Sequence, residues 1–196
     1  MRDRETARGR RLQYATITWN GIEVFVTIGL GIAAQSLALV AFGLDSVVEI
    51  FASLVVVWYL GGGRERARAR RSLRLVAVAF AVLAVYLVVV STFNLIAGNE
   101  PEGSPLGIAY LTLTAAVMFT LAHLKRSTAR RGDLAPLAAE AEMTFLDGCL
   151  AVGIMLALVA NAVAALWWAD AVAALVVAGL CVRESVENWQ TARPDG

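Results

Sequence analysis

Two carboxylates stand four residues apart in an otherwise apolar run, Asp45 and Glu49. On a helix they share one face, one turn apart. Side by side in a low dielectric they repel, unless a cation sits between them or one keeps a proton. Asp147 and Glu23 lie in two further apolar runs, with Glu140 and Glu142 nearer the start of the run that holds Asp147. A carboxylate at the centre of a bilayer costs about 2.5–3.5 kcal/mol on insertion scales, so each must face a partner, a cavity or a substrate path. No lysine or arginine falls inside any of these runs. The buried charge reads as acidic only, and a metal ion or protons would supply the missing positive charge. The alternative is that the carboxyls stay protonated and bond to neighbouring helices.

Other polar residues align with these acids. Thr16, Asn20, Glu23 and Thr27 are spaced four, three and four apart, a stripe on one helical face that should point into a bundle. Asn20, Glu23, Glu140 and Glu142 are candidates for an ion path, the alternative for the stripe being a packing face of small polar groups. Glu140, Met143 and Asp147 share a face of the fifth run, and Glu142 lies off it. Met143 offers a soft sulfur or plain packing. His123, the sole histidine, falls near the end of the fourth run beside Lys125. Cys149 and Cys181 sit alone in apolar runs, with no CxxC pair, and read as small buried hydrophobes. No nucleophile–base arrangement is present, which argues against an enzyme.

The elements that must position these residues are membrane spans. Of the 196 residues, 59% are hydrophobic and 17% charged. That composition excludes a disordered chain, a nucleic-acid-binding domain and a disulfide framework. A spanning helix takes about 20 residues. Helices are expected at 14–34, 37–60, 74–97, 106–124, 137–163 and 168–188. The break at Ala34-Gln35-Ser36 is weak, but the run from Ile17 to Leu60 is too long for one span and must fold back. Spans one, two, four and five carry the polar residues and should form the inner bundle. Spans three and six read as peripheral.

All 17 lysines and arginines fall in four places: the N-terminal tail, the stretch 64–74, the stretch 125–131 and the C-terminal end. With six spans these all lie on one side, and the positive-inside rule puts both termini in the cytoplasm. The expected organisation is a cytoplasmic tail over 1–13, a six-helix transmembrane domain over 14–188 and a short cytoplasmic tail over 189–196. The N-terminus is too charged for a signal peptide, and no soluble domain is expected after the last span. The expected fold is all-α, an integral membrane protein in contact with the lipid bilayer. The abundance of Arg and Ala with one Lys suggests a bacterial inner membrane.

The stretch Gln35 to Val40, followed by Gly43-Leu44-Asp45-Ser46-Val47-Val48-Glu49, resembles the second-span signature of the cation diffusion facilitator (cation efflux) family. The stretch Ala139 to Asp147 resembles that family's A-D-x-x-H-x-x-x-D segment, and Trp168-Ala169-Asp170-Ala171 resembles the opening of its sixth span. The resemblance covers nearly the whole chain in order. It implies a homodimeric divalent-cation exporter, commonly of zinc, that exchanges metal for protons by alternating access. It places the metal site at Asp45, Glu49, Met143 and Asp147. Position 143 is Met where zinc-transporting members have His, which leaves manganese open. The family's cytoplasmic metal-sensing domain has no counterpart in these residues, so the chain is similar to short, transmembrane-only members. The alternative function is a non-transporting membrane assembly or regulatory subunit of the same fold.

Overall fold

The computed structural model describes residues 2–61, 66–98, 102–132 and 134–192. Their regular elements are six α-helices: α1 (Arg2–Ala33), α2 (Leu37–Gly61), α3 (Arg66–Ala97), α4 (Pro105–Gly132), α5 (Ala135–Ala164) and α6 (Trp168–Thr191). The helices start earlier or end later than the apolar runs. Arginine, lysine and glutamate are good helix formers, so the backbone stays helical where the chain leaves hydrocarbon for the interface. Part of the expected break after Gly61 lies outside the described residues, and the basic stretch is helical from Arg66. The expected loop from Lys125 to Pro136 is far shorter, because α4 runs on to Gly132.

The weak break at Ala34-Gln35-Ser36 is a tight turn with specific chemistry. Gln35 takes a left-handed backbone (φ 51°). The Ser36 N–H donates to Gly31 O at 2.9 Å and the Gln35 N–H to Ile32 O at 3.3 Å, closing the end of α1 in a Schellman motif. Ser36 Oγ then accepts from the Leu39 N–H at 3.2 Å and caps α2. Below the turn the two helices touch closely. A Cβ on Gly43 would meet Thr27 Oγ1 and Ile28 Cγ1 at 2.6 Å, so only glycine permits this approach.

Three pairs build the bundle: α1 with α2, α4 with α5, and α3 with α6. Contacts of α1 with α4 and of α2 with α5 close the first four into a ring, while α6 packs on α2 and α5 and α3 packs on α2. The expected division into an inner bundle and a peripheral pair holds. Leu39, Phe42, Leu111, Ile154 and Leu158 of the ring share one core with Phe80, Leu87 and Val177 of the outer pair.

Polarity is inverted relative to a water-soluble protein. Gln13, Thr16, Asn20, Glu23 and Thr27 of α1 are completely buried, while Phe25, Phe93, Ile96 and Val163 face outward. An outward apolar surface against inward polar groups suits a hydrocarbon solvent. Five of the six helices are long and apolar enough to cross a membrane. α6 carries Asp170, Arg183 and Glu184, with an uncharged run over 171–182 between them. Its 24 residues reach about 36 Å, enough for the hydrocarbon core.

Candidate metal centre

α2 brings Asp45 and Glu49 to one wall of a cavity of about 40 Å³. α5 supplies Met143 and Asp147 to a second wall, and α6 supplies Cys181 and Glu184 to a third. The cavity therefore sits on the seam between the ring and the outer helix pair. Its volume admits an ion with a water or two. The four residues implied by the resemblance all line it.

Each carboxylate is held differently. Glu49 is buried and accepts from Asn20 Nδ2 at 2.9 Å and from Thr144 Oγ1 at 3.2 Å. Asp45 is half-buried and faces Cys181, whose Sγ lies 3.7 Å from Oδ1. Asp147 is 4% exposed, and neither of its oxygens has a hydrogen-bond partner. A buried carboxylate without donors is costly, so this is where the site is least complete by itself. The donors line the cavity without converging: among the described residues, no three of His, Cys, Asp and Glu stand together closely enough to hold a metal ion.

The expectation that the buried charge is acidic only is overturned by Lys125. Its side chain is fully buried, with Nζ 2.7 Å from Glu140 Oε2 and 2.8 Å from Thr144 Oγ1. Apolarity alone put Lys125 in a loop. α4 instead continues past it, and Leu111, Thr114, Met118, Leu121, Lys125 and Thr128 form one buried stripe spaced by threes and fours. Both oxygens of Glu140 are occupied, since it also accepts from Gln13 Nε2 and from Ser53 Oγ, each at 2.6 Å. Thr144 lies between this pair and Glu49.

The other predicted path residues divide. Asn20 reaches the cavity through Glu49. Glu23 of α1 is buried inside the ring, where Ser46 Oγ of α2 (3.0 Å) and Thr114 Oγ1 of α4 (2.8 Å) donate to its two oxygens. Glu142 is not brought to this group. It is exposed and pairs with Arg126 at 2.5 Å. His123 is exposed as well.

Sequence reasoning missed Lys125, Cys181 and Glu184. Helical spacing puts each of them on a polar or buried face but does not name its partner. Cys181 and Glu184 continue the buried face of Ala174, Val177 and Ala178 on α6. At the opposite end of that helix Asp170 accepts from Ser36 Oγ and from the Ala38 N–H (3.1 Å), tying α6 to the start of α2.

Acids facing a small cavity inside an inverted-polarity bundle define a membrane protein that handles cations. A family model, the cation efflux transmembrane domain, matches residues 14–192. The chain belongs to the cation efflux family, a family of membrane cation transporters, and is a multi-pass membrane protein. A search of curated proteins found no match.

Proposed function

We propose that the chain exports a divalent metal cation, zinc first and manganese second, in exchange for protons by alternating access. The observation that carries this is Asp147, a buried carboxylate with neither oxygen occupied, facing a cavity it shares with Asp45 and Glu49. Asp45, Glu49 and Asp147 bind the ion, and Met143 contributes weakly. Asn20 and Thr144 orient Glu49. Metal and protons compete for the same carboxylate oxygens, so protonation from the far side favours release. Rocking at the seam between the ring and the α3–α6 pair changes which side the cavity opens to. The ion path passes Asn20, Glu23 and Glu140, while Glu142 stays outside it. The protein works as a homodimer with both termini in the cytoplasm, in a bacterial inner membrane.

The test is uptake of zinc, manganese, cobalt and cadmium into liposomes carrying the purified protein and a pH gradient. Asp45→Ala and Asp147→Ala should each abolish uptake. Transport at the wild-type rate in both variants overturns the assignment.

One observation favours a second function, a non-transporting assembly subunit: the candidate donors do not converge. Calorimetry in detergent separates the two, because a pure assembly subunit binds no metal.

A further inference from the structure

We infer that Cys181 of α6 is a ligand of the transported ion and biases the site toward zinc and cadmium over manganese and magnesium. The inference rests on the proposed metal site and narrows its substrate class.

The first ground is distance. Cys181 Sγ lies 3.7 Å from Asp45 Oδ1. Zinc bonds sulfur at about 2.3 Å and carboxylate oxygen at about 2.1 Å, so two such ligands on a tetrahedral ion stand about 3.6 Å apart. The thiol and the carboxylate already have the spacing of ligands on one metal.

The second ground is the rest of the cavity. Asp147 faces it 4% exposed, with both oxygens unpartnered, and supplies a third donor when the walls close. Met143 lines it too, with a thioether sulfur. A set of thiol, thioether and carboxylates mixes soft and hard donors. Soft sulfur suits zinc-like and softer ions, and carboxylates alone suit manganese or magnesium. The sulfur of α6 stands one wall away from Met143 and Asp147 of α5. When the sulfur–metal bond forms, the thiol proton leaves to solvent and the metal takes its place.

Two ties hold α6 on either side of Cys181. Asp170 anchors one end of the helix to the start of α2. Toward the other end, Ser185 Oγ donates to Ala77 O at 2.8 Å and keeps α6 against α3. Cys181 lies one turn before Ser185, between the two ties.

The test uses the full chain carrying Cys149→Ala, which removes the exposed cysteine and leaves Cys181 as the only thiol. Cadmium added to this protein in detergent should raise an ultraviolet sulfur-to-metal charge-transfer band, and Cys181→Ser should remove it. In liposomes Cys181→Ser should lower the ratio of cadmium to manganese uptake by roughly tenfold, the scale at which even an outer partner of a metal ligand affects binding. Cys181→Ala serves as the second variant if the serine protein does not fold, and the band needs no change at position 181. Absence of the band, or an unchanged uptake ratio while Asp147→Ala still abolishes uptake, overturns the role of Cys181 and leaves the metal site standing. Uptake that survives Asp147→Ala overturns the site itself, and the inference with it.

Discussion

Lys125 and Asp147 present opposite solutions to one problem, a charge placed where lipid is near. Lys125 has Glu140 and Thr144 within hydrogen-bond reach, and Glu140 has three donors. The charges of that cluster are paired with each other. Asp147 has none and is open to a cation. Removing one partner of a buried pair leaves an uncompensated charge and costs about 3–5 kcal/mol, whereas replacing both with apolar groups is close to neutral. Lys125→Ala should therefore lower the unfolding temperature in detergent sharply. The double variant Lys125→Met with Glu140→Leu should recover most of the loss. Equal destabilisation by the single and double changes would show that the pair contributes little.

At the scale of the helix, the turn between α1 and α2 shows how a three-residue break makes a hairpin. The left-handed Gln35, the Ser36 cap and the close approach at Gly43 act together. Asp170 extends this turn into a three-helix junction by accepting the Ala38 N–H at the start of α2. Asp170→Ala would strip that N–H of its acceptor and α2 of a favourable charge at its positive end. A loss of about 1–2 kcal/mol is expected. Thermal unfolding in detergent measures it. No shift in the midpoint would mean that water replaces the carboxylate without cost. The same residues explain why α6 reads poorly as a span: two of its charged groups, Asp170 and Glu184, face protein.

The whole molecule divides into a ring of four helices and an outer pair, with the cavity on the seam. The inversion of polarity suits the bundle to lipid, and the proposed orientation, with both termini in the cytoplasm, rests on the distribution of basic residues. Single cysteines at Arg68 and Glu102, in a chain without its native cysteines, should be labelled from opposite sides of intact cells. The Arg68 position should react only from the cytoplasm. Equal reaction of both from outside would overturn the orientation.

Much of this was legible in the residues. Hydrophobic run length set six helices, and polar content sorted them correctly into ring and periphery. Helical spacing placed the α1 stripe inside and put Asp45 with Glu49, and Met143 with Asp147, on shared faces; the family resemblance joined these four into one set, and all four line one cavity. These features are local, and a helix's period is enough to read them. What the period could not supply was the partner across the gap. Whether Lys125 lay in a loop or in the core depended on where α4 stopped, and burial against α5 decided that. Whether Cys181 was packing or a neighbour of Asp45 depended on residues 136 positions apart in sequence. Sequence alone determined which faces are polar. Only the tertiary structure decided which polar groups satisfy one another and which, like Asp147, are left open, because a hydrogen bond between helices depends on packing distance and not on spacing along either chain.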